Sequence, residues 1–385
     1  MTTSEFDSYR PPEEPRRRRR RDRATGPGEP GQPSGRRRGG LAPATSDGGR
    51  EMAMVPEPEF SRTATDTASE SYYGRPIVKA PPWDERVATY LVCGGIAGGS
   101  SLLAFGAQLT GRELLRRNAR ISALAAAGVG AVALIADLGR PERFLNMMRT
   151  VKLTSPMSLG SWVLAGFSTG AGVAAAAEVD RMTGEVLPLG PLRGVLRAAE
   201  APAGGLAALL GAPLAGYTAV LLSDTALPTW NDAKEDLPFV FVSSASIAAS
   251  GLAMITTPVR ETAPARTLAV LGAVGDVLAT RTMEARMDPV AVEPLKTGRP
   301  GKLMTWSERL AIAGGIGALF AGRSRVVAAL SGAALVTASA FTRFGVFYAG
   351  KDSALDPRYT VEPQKRRLAA RRAAGITDDS ITTVR

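Results

Sequence analysis

Charged residues cluster where an apolar stretch of the chain ends, and they are the first residues that could carry chemistry. Asp137, Arg140, Glu142 and Arg143 follow a hydrophobic run at a point where one Gly and one Pro would break a helix. The arginines could pair with Asp137 or Glu142 in a salt-bridged helix cap. The same four residues could instead form the wall of a polar site or a proton route, and the residue types leave both interpretations open.

Tyr217 lies just before the end of another apolar run, in GYTAVLLSD. A phenol at this shallow depth could hydrogen-bond a carbonyl headgroup whose isoprenoid tail stays in lipid, as a quinone pocket requires. The alternative is a tyrosine of the interfacial aromatic belt. Four further aromatic residues fall near the same boundary: Trp83, Tyr90, Trp162 and Trp230. Individually such residues are usually membrane anchors, but their convergence with Asp137 adds weight to a pocket.

Two ionisable residues lie within apolar runs, Asp276 in AVGDVLATR and Arg343 in SAFTRFGVF. Charged groups are costly in lipid, so we expect both to face the interior of a helix bundle, paired with one another or with water. Structural pairing and proton transfer would both explain them. Glu200 begins a run at the other side of the membrane, and we expect it to be solvated.

The chain has no histidine and one cysteine, Cys93. This composition excludes bis-histidine haem, thiolate-held iron–sulfur clusters, Cys/His zinc sites and Ser-His-Asp or Cys-His catalysis. If the protein takes part in redox chemistry, the metal centres belong to a partner.

The hydrophobic pattern predicts an all-α polytopic membrane protein, a bundle of about eight transmembrane helices. The predicted segments are 87–109, 119–138, 158–177, 199–222, 238–257, 265–280, 308–322 and 326–348, of which the sixth and seventh are short. Their many Gly and Ala residues would let helix backbones approach closely.

Two polar ends flank the predicted membrane domain, which covers residues 83–348. Residues 1–82 are rich in Arg, Pro and Gly and predict a disordered tail without a signal peptide; 349–385 form a basic tail that could lie on the membrane surface or on a partner. The formal net charge is +11, and a solvated tail explains the Arg run without a nucleic-acid partner.

An even number of spans would place both ends of the chain on one side of the membrane. The long connections fall on that side too: PPWDER, DLGRPERF, SDTALPTWNDAKEDLP and EPLKTGRPGK. Lys and Arg near the membrane favour a cytoplasmic location for this side. A partner or substrate is therefore expected to meet the protein there.

Four stretches of the chain resemble the NrfD/PsrC family, the eight-helix membrane subunits of polysulfide-reductase-like molybdoenzyme complexes, and actinobacterial members above all. They are WDERVATYLVCGGIAGG (83–99), DLGRPERFLNMMRTVKLTSPMSLGSW (137–162), GYTAVLLSDTALPTW (216–230) and RFGVFYAGKDSALDPRYTVEPQKRR (343–367). The second stretch is the most specific, because general rules of helix packing would not require this order of residues.

The resemblance implies a haem-free anchor in the bacterial cytoplasmic membrane. It would exchange electrons between quinone, such as menaquinone, and a ferredoxin-like iron–sulfur subunit, which connects to a molybdopterin catalytic subunit. Neither haem nor an iron–sulfur cluster is expected in this chain, and the substrate of the complex would react elsewhere.

Family quinone sites use a tyrosine of the fourth helix, which Tyr217 matches, and polar residues near the start of the first helix. Some members have a histidine there, whereas this sequence offers Arg86, Thr89 or Tyr90. We therefore predict a quinone site of Tyr217, Trp83, Tyr90 and Arg86, with Trp83 and Trp230 at its entrance. Asp137, Arg140, Arg143 and Asp276 are predicted to transfer protons or dock the partner.

Two other functions fit the same residues. Asp276, Arg343 and the Gly-broken helices would suit a proton-translocating or transporter-like module, although no internal repeat is evident. A purely structural anchor without a working quinone site would also explain the absent histidine.

Overall fold

The computed structural model describes residues 76–140, 142–149, 151–152, 154–186 and 188–375. These residues form helices, turns and connections, and none of them forms a strand. Residues 1–75 of the predicted disordered tail and 376–385 of the basic tail lie outside the described residues.

Eight helices of 20 residues or more are found in the described part of the chain. They are α1 (Glu85–Leu109), α2 (Glu113–Asp137), α4 (Pro156–Met182), α5 (Leu192–Ser223), α7 (Leu237–Thr256), α8 (Ala263–Arg286), α10 (Gly298–Phe320) and α11 (Arg325–Leu355). Six of the eight are long and apolar enough to cross a membrane by length and composition, the exceptions being α8 and α10. The predicted all-α, multi-pass membrane fold is confirmed.

Three shorter helices lie in the connections, α3 (Glu142–Met147), α6 (Pro228–Asp232) and α9 (Glu293–Lys296), and a fourth, α12 (Arg358–Ala373), follows the last long helix. The prediction that EPLKTGRPGK is a loop was wrong, because α9 and the start of α10 fall within it. Gly298 adopts φ +61° and turns the chain between the two helices. The apolar pattern predicted a segment that starts at residue 308, but the helical hydrogen bonding of α10 begins earlier, at Gly298, within polar sequence.

The bundle has two ends, which we define by their residues. The terminal face holds Glu85, where α1 begins, and Leu355, where α11 ends; the opposite face holds Leu109 and Arg325. At the terminal face the Lys351 ammonium donates to the Trp83 carbonyl over 2.6 Å. At the opposite face Glu261 accepts from the backbone N–H groups of Leu114 and Leu115, at 2.8 and 3.0 Å. Such contacts confirm that the connections alternate between two ends.

The α12 helix lies at the terminal face, only a few residues after α11 ends. Arg366 pairs with Asp288 at 2.9 Å and Arg358 pairs with Glu293 at 3.2 Å. Partial burial, together with Glu293 and Asp356, raises the pKa of the Tyr359 phenol, which therefore stays neutral. The basic tail is thus helical in this part and is tied to the α8–α9 connection.

The α1 helix occupies the centre of the bundle, in contact with α2, α5, α7 and α11. Gly98 of α1 faces Gly211 and Ala215 of α5 so closely that an added Cβ would lie 3.2 Å from the Ala215 backbone nitrogen and collide with the Gly211 carbonyl. Lipid offers no hydrophobic driving force for helix association, so close backbone approach of this kind supplies the packing.

Replacing Gly98 by Ala should push α1 and α5 apart, since the neighbouring atoms are backbone and cannot rotate away. We expect a cost of about 1–3 kcal/mol and a lower thermal midpoint in detergent or nanodiscs. Gly106 of the same helix has open space around it. Gly106→Ala should therefore be neutral or stabilise by up to about 1 kcal/mol, and equal midpoints for the two variants would contradict the packing argument.

Candidate functional site

A pair of tyrosines joins α1 to α5 near the terminal face. The hydroxyl groups of Tyr90 and Tyr217 are hydrogen-bonded to each other. Tyr90 is buried, with 2 % of its surface exposed, and Tyr217 is partly buried. The predicted site residues Tyr90 and Tyr217 therefore meet directly, although they are 127 residues apart in the chain.

Two glycines make room for the tyrosine pair. An added Cβ at Gly160 of α4 would collide with the Tyr217 ring, and one at Gly130 of α2 would lie 3.2 Å from the Tyr90 ring. Four helices thus enclose the pair, and Gly160 gives the SPMSLGSW motif a physical role. Any larger side chain at Gly160 would displace the phenol.

A charged group lies beside the start of α1, on the side of α2. Asp84 caps α1 by accepting from the Arg86 backbone N–H at 2.7 Å. The Arg86 guanidinium donates to the Ala136 carbonyl at 2.8 Å, next to Asp137. Asp137 is within hydrogen-bonding reach of Asp84 and feels the charge of Arg86. Two carboxyl groups and one guanidinium therefore lie together at this end of α1.

The DLGRPERF connection leaves α2 through Gly139, whose φ of +67° requires the left-handed region. Arg140 is exposed, and no salt bridge joins it to Asp137 or Glu142 in the described residues. The predicted salt-bridged cap is therefore not formed by Arg140. The Arg143 side chain lies outside the described part, although its backbone belongs to α3.

Three tryptophans near the terminal face occupy different environments. Trp83 is partly buried and stacks on Trp230, with ring centroids 6.1 Å apart. Trp230 is fully buried, and its indole N–H donates to the Val346 carbonyl at 2.7 Å. The predicted placement of Trp230 at a pocket entrance was wrong, because the short helix α6 turns its ring inward onto α11. Trp162 is exposed on α4.

Asp276 lies apart from the tyrosine pair, on α8. It is 3 % exposed and lines a cavity of about 260 Å³ between α8, α9, α10 and α11. Its Oδ1 has no hydrogen-bond partner among the described residues. The same cavity is lined by two ion pairs, Arg281 with Glu308 and Lys296 with Glu284.

Arg343 is fully buried near Asp276 but forms no salt bridge with it in the described structure. Its guanidinium donates to the carbonyls of Leu91 and Phe241, at 2.8 and 2.7 Å, and lies 4.5 Å from the centre of the Phe241 ring. The expected burial of both charges is therefore observed, whereas direct pairing is not. Backbone oxygens of α1 and α7 take the place of the carboxylate.

Comparison with known proteins identifies the family. A family model described as polysulphide reductase, NrfD, matches residues 77–271, which is half of the chain. The chain belongs to the NrfD family. No curated protein matches it. The NrfD match contains the tyrosine pair and the Arg86–Asp137 group, and it ends within α8 before Asp276.

The opposite face of this NrfD chain contains a group of paired charges that we call the charge clasp: Arg116, Arg120, Glu178, Arg181 and Glu200. Arg120, Glu178 and Glu200 are buried, whereas Arg116 is partly buried and Arg181 is exposed. Arg120 donates to Glu178 at 2.9 Å and to Glu200 at 2.5 Å, and Arg181 also pairs with Glu200. Glu200 is only 7 % exposed, so the expectation that it is solvated was wrong. Its partners come from α2 and α4. Contacts between different helices cannot be predicted when each apolar segment is considered separately.

The sequence contained a weak signal for the charge clasp. Arg116 and Arg120 are four residues apart on α2 and so share a helix face, and the Arg117 side chain points instead to Asn118.

Within the described ranges, no group of three or more His, Cys, Asp and Glu side chains is placed to hold a metal ion. The ion pairs of the charge clasp stabilise the fold. The tyrosine pair and Asp276 are the residues that could take part in chemistry.

Replacing Glu178 by Gln should destabilise the protein strongly, since Arg120 would lose one of its two carboxylates while remaining buried. Breaking a buried ion pair on one side costs about 3–5 kcal/mol. Glu362 of α12 is 42 % exposed and pairs with Arg358 and Arg366. Glu362→Gln should cost less than about 1 kcal/mol. Thermal unfolding of both variants measures the difference, and similar midpoints would argue against the charge clasp.

Proposed function

We propose that this chain is the haem-free, quinone-reactive membrane subunit of a molybdopterin oxidoreductase complex. The observation that supports this most is the tyrosine pair, which lies near the terminal face within the NrfD-matched region. Arg86 and Asp137 flank the same end of α1. A phenol, a guanidinium and carboxylates within one region provide the donors and proton acceptors that quinol chemistry needs.

The hydrogen bond between the two phenols leaves capacity for a ligand. Two hydroxyl groups carry two protons, and their mutual bond uses one of them. The other O–H can donate to a quinone carbonyl, while a free lone pair can accept from a quinol hydroxyl. Tyr217 is the less buried of the two and is therefore the one that we assign to the headgroup.

Quinol oxidation releases two electrons and two protons. The electrons would pass to an iron–sulfur cluster of a partner. Such a cluster is held by several cysteine thiolates, and this sequence has one cysteine. The protons would go to carboxyl groups near the start of α1, for which we propose Asp84 and Asp137. Reversal of the same steps would reduce quinone.

The partner would dock on the terminal face. Exposed Arg140 and the basic residues of α12 present positive charge there, and we assign Arg143 to the same surface from its place in the sequence. A ferredoxin-like iron–sulfur subunit bound at this face would lie next to the tyrosine pair and connect to the molybdopterin subunit. We further propose that this face is cytoplasmic in a bacterial membrane, as its Lys and Arg content favours.

Tyr217→Phe removes a hydrogen-bonding hydroxyl without removing the ring. Quinol turnover by the purified complex should fall about tenfold or more, as the loss of a buried hydrogen bond to substrate predicts. Tyr348→Phe is the matched control, since that phenol donates to Glu85 outside the pair. It should retain activity.

Unchanged turnover in Tyr217→Phe and in Asp137→Asn would favour the purely structural anchor. Purification without a cysteine-rich subunit would count against the electron-transfer role itself. The two results are separable, because the first concerns the quinone site and the second concerns the complex.

Proton transfer through Asp276 is a second candidate function, favoured by one observation. A buried carboxyl oxygen without a partner lies at a cavity that contains charged residues from the terminal ends of α8 and α10. Unsatisfied buried groups are costly and tend to mark functional sites in membranes. Asp276 would take a proton from this cavity and hold it within the bundle.

Asp276→Asn should lower the number of protons translocated per quinol oxidised in proteoliposomes, because an amide cannot exchange the proton. Turnover measured with an uncoupler should stay within about twofold. Tyr217→Phe should lower electron transfer and proton movement in proportion. Glu308→Gln serves as the control at the cavity, since Glu308 is partly exposed and paired with Arg281; a proton yield unaffected by Asp276→Asn would exclude this candidate.

A further inference from the structure

A groove runs along the outer surface between α8 and α10, and we call it the α8/α10 groove. Its cavity has a volume of about 350 Å³, with walls formed by Val270, Val274 and Val277 of α8 and by Ile312, Ile316 and Leu319 of α10. Val277 also lines the Asp276 cavity. Val270 and Leu319 also line a third cavity of about 310 Å³, towards the opposite face, which contains Arg266.

Small residues form the floor of the α8/α10 groove. An added Cβ at Gly315 would lie 2.8 Å from the Cβ of Ala273, so the two helices touch there. The branched residues on both sides project beyond this contact: Val274 is 54 % and Ile316 55 % exposed. The surface is therefore concave and apolar, and a hydrocarbon chain would fill it without loss of hydrogen bonds.

Within the part of the chain that the structure describes, Arg266 is a cation without a partner at one end of the groove. Its Nε is buried and has no hydrogen-bond acceptor within the described residues, and its guanidinium lies against Gly322. The nearest acidic residue in sequence, Glu261, is already bound by the N–H groups of Leu114 and Leu115. Arg323 adds an exposed positive charge in the adjoining connection.

The two ends of the groove differ in charge. At the Val277 end, the cations Arg281 and Lys296 are already paired with Glu308 and Glu284. At the other end Arg266 is positive and would attract an anionic headgroup. From Arg266 to Val277 the helix rises about 16 Å. This is about half of the ~30 Å hydrocarbon core, the depth that the acyl chain of one leaflet reaches.

We propose that the α8/α10 groove binds one anionic phospholipid, with its phosphate on Arg266 and an acyl chain between α8 and α10. A quinone fits this groove less well, because its headgroup is neutral and does not need the cation. The bound chain would complete the packing of the two helices that are least apolar by composition. The proposal does not depend on the quinone role of the tyrosine pair.

Native mass spectrometry of the delipidated full chain, purified with any subunits that accompany it, tests the proposal. Phosphatidylglycerol and phosphatidylcholine are added separately, and inorganic phosphate is used as a competitor. One phosphatidylglycerol should remain bound per chain, at least about tenfold tighter than phosphatidylcholine. Arg266→Gln should abolish this preference, while Arg266→Lys and the exposed control Arg260→Gln should keep it.

The apolar half of the site needs its own variant. Val274→Trp should fill the groove and reduce retention of both lipids, whereas Val132→Trp, on the exposed surface of α2, should not. Retained preference in Arg266→Gln, or full lipid retention in Val274→Trp, would overturn the proposal. Complete displacement by inorganic phosphate would show an anion site without an acyl chain and would overturn it too. If Arg266→Gln does not fold, the Val274→Trp result and the phosphate competition decide.

Discussion

Close backbone contact at glycine is the constraint on which this bundle depends. Within lipid, helices gain little by hiding apolar surface from one another, so van der Waals contact between their backbones must hold them together. Gly98 meets Gly211 where α1 crosses α5, and Gly251 meets Gly332 where α7 crosses α11. The first crossing, together with the contact of Gly99 with Ala245 and Ala249 of α7, fixes α1 in the centre. The contacts of Tyr90 with Tyr217 and of the Leu91 carbonyl with Arg343 follow from this position.

Buried charge is handled in three different ways. In the charge clasp, carboxylates and guanidinium groups satisfy one another at the end of the bundle. Arg343 instead donates to carbonyl oxygens that already belong to helices. Asp276 has an oxygen for which no partner is found in the described structure. The charge clasp is complete within the chain, whereas the Nε of Arg343 also lacks a hydrogen-bond partner in the described structure. The Asp276 oxygen would be satisfied only by a proton, by water or by another molecule.

Much of the fold could be predicted from the sequence, because the hydrophobic period reports directly on contact with lipid. The eight segments match the eight long helices, and counting them places the connections on the correct ends. The site was harder. Tyr217 and Tyr90 could be named separately, but their hydrogen bond depends on how α1 crosses α5, and this crossing depends on glycines that one sequence does not pair.

The wrong predictions have a common physical origin. Glu200 and Trp230 were each judged by depth in the membrane, which says how far a residue lies from water along the bundle axis. Burial also depends on neighbours across the bundle. Glu200 is enclosed by arginines from α2 and α4, and Trp230 by α11 after the turn of a five-residue helix. The depth of a residue in the membrane can be predicted from the local sequence. Its neighbours across the bundle depend on how the helices pack.

The α1 helix links the two sites that could carry chemistry. Tyr90 faces Tyr217 on one side, and the carbonyl of the next residue, Leu91, accepts from Arg343 on the other. The Arg343 guanidinium in turn interacts electrostatically with the Asp276 carboxyl group. A change of charge at the tyrosine pair would reach Asp276 through a region of low dielectric, where charges interact more strongly than in water. Arg343 is the group through which such coupling would pass, because its two carbonyl contacts hold it between α1 and α7 and leave its charge unneutralised.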